Sequence, residues 1–388
     1  MKYENVEESG KELQGSILSV NDEGITSSDY GNSPAAPKDP LGVFGRYLTI
    51  WVALCMIIGT AIGASQPSVA KALDKATVAQ INLIVAVLIW VMIFPMMLQI
   101  DWQALKHVKD HPRAIFVCTF LNWAVQPFLT YAFALLFFKV VFAHYLAQEQ
   151  QNEFIAGAVI LGGSPCTAMV FVWSQLAGGN PAYTLVQVAV NDIIILILYT
   201  PTIILLIGSS GIHVPYDTVF LSVFIFVVIP FATTFLVRMR MVKMRGQEWT
   251  DATIKHIAQR AGPYTIVALL LTLVLIFIFQ GEKIYKHPVD ILFNCVPLTL
   301  VAFIIFAMGY FACLKLRVPY DLAAPACFIA TSNFFELAVA VALSAYGLDS
   351  GAVLTTVVGV LVEVPVMLTL VKIMVKTKDF YEIHTANI

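Results

Sequence analysis

Three ionisable side chains sit where the surrounding sequence is apolar enough to exclude water. Glu336 and Glu363 lie in long hydrophobic runs near the C-terminus, and Cys166 follows the helix-breaking run Gly162-Gly163-Ser164-Pro165 in the first half of the chain. An ionisable group at membrane depth is costly and marks a functional site by default. A carboxyl held there can take up and release a proton, and a thiol beside unwound backbone is a soft ligand. Together these residues suggest a carrier that binds a thiophilic solute and couples its movement to protons.

Both regions carry a break. In Ile160-Leu161-Gly162-Gly163-Ser164-Pro165-Cys166-Thr167, the proline lacks an N–H and pushes Ser164 away from helical dihedrals, while two glycines ease unwinding. In Ile329-Ala330-Thr331-Ser332-Asn333-Phe334-Phe335-Glu336, Ser332 and Asn333 compete for backbone hydrogen bonds in mid-segment. Pro and Gly in a membrane helix can also do no more than kink it. Paired breaks at matching places in two halves, however, point to a substrate site, where half-helix N-termini offer free N–H groups to a ligand oxygen.

The elements that position these residues follow from composition. The chain has 388 residues, 59% hydrophobic and 12% charged, with mean hydropathy +0.81. That fits an all-α polytopic membrane protein. A net charge of −2 gives no footprint for nucleic acid. The six cysteines, Cys55, Cys118, Cys166, Cys295, Cys313 and Cys327, are scattered without zinc-type spacing and suggest neither a cofactor nor a disulfide framework. All seven histidines fall in expected loops or the C-terminal tail, so no histidine is available at depth as a proton relay or a base for Cys166.

At about 20 apolar residues per crossing, ten transmembrane helices are expected, over 44–65, 77–99, 114–142, 153–176, 182–208, 216–239, 261–281, 288–313, 321–346 and 349–375. Sixteen Lys and Arg then gather near the membrane on the side shared by both termini, in the tails and in the 100–113, 240–260 and 314–320 connections. Only Lys71, Lys75, Lys139, Lys283 and Lys286 fall on the other side. The asymmetry predicts cytoplasmic termini. Residues 1–40, acidic and rich in Ser, Gly and Pro, read as a disordered cytoplasmic tail without signal-peptide pattern. Residues 41–378 form the ten-span transporter domain and 379–388 a C-terminal tail. Ten spans divide at the 209–215 turn into two five-helix halves of opposite orientation, an inverted repeat with broken helices four and nine in equivalent places. Each break is followed by a glycine turn, Gly178-Gly179-Asn180-Pro181 or Gly347-Leu348-Asp349-Ser350-Gly351, and then by a helix with buried acidity, carrying Asn191-Asp192 or Glu363.

The runs Gly163-Ser164-Pro165-Cys166-Thr167-Ala168-Met169-Val170, Asn333-Phe334-Phe335-Glu336 and Val362-Glu363-Val364-Pro365 resemble the arsenite efflux permeases of the bile/arsenite/riboflavin transporter superfamily, over residues of about 40–378. The resemblance implies a panel domain (spans one, two, six and seven) and a core domain (spans three to five and eight to ten). It also implies export of trivalent arsenic, in some members antimony, by proton antiport. It places the family's essential cysteine on Cys166, its essential glutamate on Glu336, and further polar core positions on Asn122, Asn191 and Glu363. Many members carry a basic residue shortly after the Asn-Trp pair; this chain has Gln126 there.

At neutral pH trivalent arsenic is As(OH)3, an uncharged polyol with a soft centre. A carrier must release its cargo, so a single thiol, Cys166, with hydrogen bonds from Ser164, Thr167, Asn122, Asn191, Asn333 and Glu336, suits it better than a three-thiol cage. Glu336 and Glu363 are the proton-coupling candidates. Adjacent helical residues diverge by about 100°, so Asn191 is favoured over Asp192 at the site. The expected function is a secondary active exporter of arsenite, with antimonite as a second candidate cargo, in the plasma membrane or a vacuolar membrane. The alternatives are a sodium-coupled organic-anion symporter of the same superfamily, an intramembrane enzyme using Cys166 as nucleophile, and a passive channel.

Overall fold

The computed structural model describes residues 48–78, 81–99, 111–166, 169–209, 212, 216–286, 288–333, 335–347 and 349–386. The expected 1–40 tail, the 100–110 connection and most of the 209–215 turn lie outside them. The described residues are helical apart from turns, one short ladder and an isolated bridge. In chain order the elements are α1 (Leu48–Ser65), α2 (Pro67–Asp74), β1 (Thr77–Val78), β2 (Ile81–Asn82), α3 (Leu83–Leu98), α4 (Pro112–Val141), α5 (Gln148–Gly162), α6 (Val170–Leu176), α7 (Pro181–Ser209) and α8 (Tyr216–Arg245). They continue with α9 (Gln247–Lys286), α10 (Pro288–Lys315), α11 (Tyr320–Thr331), α12 (Phe335–Tyr346), α13 (Gly351–Lys376) and α14 (Lys378–Ala386).

Among the described residues, six helices are long and apolar enough to cross a membrane: α4, α7, α8, α9, α10 and α13. Their outward faces carry large apolar side chains such as Phe116, Leu205, Phe220, Leu271, Leu292 and Phe311, all exposed. Such a surface suits lipid, in which only internally hydrogen-bonded backbone is stable. The protein is therefore integral to a membrane.

Two groups of helices pack on one another. In the first, α3 contacts α8 and α9, and α1 meets α9 through small residues: a Cβ on Gly281 would lie 2.8 Å from Thr60 O. Small residues let membrane helices approach closely enough for dispersion contacts to accumulate. In the second, α13 packs against α5, α10 and α12, α11 against α10, and α4 against α5. This second group holds the most buried segments, with α11 buried throughout except at Asp321.

Prolines shape the long helices. π-Helical turns at Leu121–Val125, Ile195–Tyr199 and Phe224–Val228 each end two residues before a proline, Pro127, Pro201 and Pro230 respectively. A proline cannot donate to the carbonyl behind it, and the widened turn accommodates the missing bond.

Two expectations change. The second span was expected to be helical from 77, but its helix begins at Leu83. Residues 77–78 pair antiparallel with 81–82, Thr77 opposite Asn82. Asn82 decides the start: its Oδ1 accepts from Ile84 N at 3.1 Å and Val85 N at 3.2 Å, while its Nδ2 donates to Leu73 O at 3.0 Å. The 240–260 connection is helical, broken only at Gly246 (φ 82°). Buried Arg238 donates to Asp251 Oδ1 at 2.6 Å and Leu98 O at 3.3 Å, tying α3, α8 and α9 together there. In the C-terminal tail, Lys378–Ala386 forms α14, and Tyr381 within it is fully buried.

Candidate functional site

Both sequence breaks interrupt helices. α5 stops at Gly162, where the next two N–H groups bond back to Val159 O (3.0 Å, from Gly163) and Leu161 O (3.2 Å, from Ser164). α11 stops at Thr331, and Ser332 is extended (φ −82°, ψ 141°). The interruptions meet. Pro165 and Asn333 form an antiparallel bridge, and because proline has no donor, Cys166 N–H supplies a bond to Ser332 O at 3.0 Å. Backbone freed by one break is thus satisfied by the other, as a buried chain requires.

The turns after the breaks also correspond. Gly178 (φ 74°) and Gly347 (φ 82°) adopt left-handed backbone that glycine tolerates best. Asn180 then caps α7 by accepting from Ala182 N at 3.0 Å, and Ser350 caps α13 by accepting from Val353 N at 3.3 Å.

Cys166 is fully buried beside this bridge. Ser164 is also buried, with Oγ donating to Leu161 O at 3.1 Å. Glu363 on α13 reaches the second break, where its Oε1 accepts from Ser332 Oγ. Asn333 accepts on Oδ1 from Gln126 Nε2 of α4 at 2.6 Å. Glu363, Asn333, Gln126, Thr130 and Thr331 line one narrow cavity of about 30 Å³, walled by apolar residues including Leu161, Val301 and Met367. That is room for water.

Asn122 and Asn191 are completely buried. Asn122 Nδ2 donates to Cys118 Sγ at 3.5 Å, and its Oδ1 has no partner among the described residues. Neither amide atom of Asn191, nor Asp192 Oδ1, has one either. An unpartnered buried polar atom is costly, so such atoms collect where a ligand or water completes them. Both Asn191 and the adjacent Asp192 are buried. Thr167 lies outside the described residues. Glu336 belongs to the first turn of α12, and its side chain lies outside them.

Composition and spacing singled out Cys166, Asn333 and Glu363 but not the side chains that join them. Ser332 appears in the sequence only as a helix breaker, and Gln126 only as a departure from a basic residue. The usable signal was a polar residue in an apolar run, four positions after Asn122. None of the six cysteines is disulfide-bonded, and no cluster of three or more His, Cys, Asp or Glu among the described residues could hold a metal ion.

The Sodium Bile acid symporter family model matches residues 86–287. The chain is 49% identical over 341 residues to a protein of Alkaliphilus metalliredigens named Arsenical-resistance protein Acr3, covering 88% of this chain and 95% of that one. A protein of Synechocystis named Uncharacterized transporter slr0944 is 41% identical over 350 residues, covering 88% of this chain and 91% of its own. An Arsenical-resistance protein Acr3 of Corynebacterium glutamicum is 28% identical over 335 residues, covering 84% and 87% respectively. The symporter family match over half of the chain and the 49% identity to an Acr3 protein show that the chain belongs to the arsenite efflux permease family within the sodium–bile acid symporter group, a family of transporters.

Proposed function

We propose that this protein is a secondary active transporter that exports trivalent arsenic, arsenite and also antimonite, from the cytoplasm by proton antiport. The observation that carries the reading is the contact between the two broken helices, which joins Cys166 to Ser332 through backbone and Ser332 to the carboxyl of Glu363. A soft ligand and a proton-exchanging group thereby belong to one connected unit.

In this reading As(OH)3 enters from the cytoplasm and exchanges one hydroxyl for the Cys166 sulfur. One As–S bond forms, one As–O bond breaks, and the thiol proton leaves with the hydroxide as water. Ser164, Thr167, Asn122, Asn191, Asn333 and Glu336 hold the remaining hydroxyls. A single sulfur keeps the bond reversible, and water on the far side reverses the exchange. Protons returning through Glu336 and Glu363 reset the carrier.

Ten crossings are part of this reading. Six long helices, the shorter α1 and α3, and the broken pairs α5/α6 and α11/α12 supply them as an inverted five-plus-five repeat. The mutual packing of α1, α3, α8 and α9 supports a panel formed by spans one, two, six and seven. The excess of Lys and Arg on one side supports cytoplasmic termini, in the plasma membrane or a vacuolar membrane.

The test is arsenite uptake into inverted vesicles with and without an imposed pH gradient. Accumulation driven by the gradient and collapsed by a protonophore is expected. Uptake that stops at equal concentrations would make the protein a channel, and uptake requiring sodium would make it a symporter.

A further inference from the structure

Gln126 stands where the π-helical turn of α4 returns to α-helix, just ahead of Pro127. It is 1% exposed. Its Nε2 donates to Asn333 Oδ1 at 2.6 Å, across 207 residues of sequence. Its Oε1 is buried and has no partner among the described residues. Leaving an amide oxygen in that condition is costly, and a ligand hydrogen would remove the cost.

The surroundings say which kind of ligand. Gln126 shares the narrow cavity with Thr130, Thr331, Asn333 and Glu363. Thr130 gives its hydroxyl hydrogen to Gln126 O at 2.8 Å, and Thr331 gives its own to Cys327 O at 2.8 Å. Ser332 gives its hydrogen to Glu363. The side-chain hydroxyl donors around the cavity are committed, and acceptor oxygens are in surplus. Among the described residues, no Lys, Arg or His lines it. A ligand that suits such walls is uncharged and brings its own hydroxyl hydrogens; an oxyanion would face the acceptor oxygens of Gln126 and Glu363 with no cation beside it.

We propose that Gln126 is a positioning and specificity residue for the transported solute: its amide nitrogen fixes Asn333 at the second break, and its amide oxygen accepts a hydroxyl hydrogen from an uncharged metalloid hydroxide. The inference rests on the reading of this protein as an arsenite exporter, and it adds a residue that selects the neutral form of the cargo.

The experiment measures arsenite uptake by inverted vesicles carrying wild type, Gln126→Leu or Gln126→Glu, from pH 5.5 to 8.5. Gln126→Leu keeps the volume and loses both hydrogen bonds; its KM should rise about tenfold while the maximal rate stays within about twofold of wild type, the loss expected for one hydrogen-bonded contact. Gln126→Glu tests the same idea if the leucine variant does not reach the membrane. Its protonated carboxyl can still donate to Asn333, and its carboxylate cannot. KM should therefore approach wild type at acidic pH and worsen as pH rises, relative to wild type under the same gradient. A wild-type KM in Gln126→Leu, or a KM in Gln126→Glu that tracks wild type across the pH range, would overturn the role of Gln126 alone. Wild-type vesicles that leave arsenite outside would overturn the functional reading together with this inference.

Discussion

The N–H of Cys166 donates to the carbonyl of Ser332 at 3.0 Å. These residues belong to different helix breaks, 166 positions apart in the chain. Cys166 cannot move far without dragging the segment that carries Ser332 and, through its hydroxyl, Glu363. A change of ligand at the sulfur and a change of charge at the carboxyl thus act on the same short piece of backbone.

Replacing Cys166 by serine keeps a small polar group but substitutes a hard oxygen for a soft sulfur. Arsenite efflux in an export-deficient cell should fall to the level of cells without the protein, while membrane abundance is unchanged. Cys55→Ser on α1, distant in sequence from both breaks, should export normally. Wild-type resistance from Cys166→Ser would remove the arsenic–sulfur bond from the mechanism.

In Glu363→Gln, the side-chain oxygen still accepts from Ser332, so the local structure is preserved. The amide cannot exchange a proton. Transport should persist only as equilibration and lose its response to an imposed pH gradient. Glu336→Gln should behave alike if both carboxyls lie on the proton route. Full gradient-driven accumulation in either variant would exclude that residue from coupling.

Gly162, at the end of α5, has no room for a side chain. A Cβ there would lie 2.6 Å from Thr130 Oγ1 and 2.8 Å from Thr130 Cγ2. Threonine is branched at Cβ and stiff, so it has little freedom to yield. Gly162→Ala should destabilise the protein by about 1–3 kcal/mol, read as a lower thermal unfolding temperature in detergent. The double variant with Thr130→Ala should recover part of the loss. Equal stability of the single variant and wild type would refute the close packing.

Tyr381 anchors α14 beyond the last long helix. Its hydroxyl donates to Val318 O at 2.8 Å, and its ring meets Tyr310 and Tyr320 edge-on at 5.3 and 5.9 Å. Tyr381→Phe should cost about 0.5–1.5 kcal/mol, and Tyr381→Ala about 3–5 kcal/mol, with α14 opening to limited proteolysis. Burial pushes the phenol well above its ordinary value. A group whose folded pKa is raised contributes fully below its unfolded pKa of about 10 and loses that contribution as pH rises above it. Proteolysis of α14 should therefore be flat from pH 6 to about 9 and increase only at higher pH; acceleration between pH 6 and 8 would contradict this anchoring.

Much of this was readable in the chain. Pro165 with Gly162 and Gly163, and Ser332 with Asn333, announced where helices stop, because missing donors and competing side chains act within one turn of their own position. The turns at Gly178 and Gly347 were readable for the same reason. The 240–260 segment was misleading: its polar residues suggested a connection, yet they cover helix ends and support Arg238 with Asp251. The start of α3 was set by Asn82 reaching back to Leu73, a contact that hydropathy does not register.

The sequence by itself determined that the protein lives in a membrane, which helices are interrupted, and that a thiol and two carboxyl residues fall within apolar runs of sequence. Hydropathy, proline and glycine exert their effects over a few residues, so their consequences are written locally. Only the tertiary structure decided that Pro165 pairs with Asn333, that Gln126 holds Asn333, and that Ser332 turns its hydroxyl to Glu363. Those bonds join residues 31 to 207 positions apart. They exist because packed helices bring buried polar groups together that must satisfy one another where water cannot.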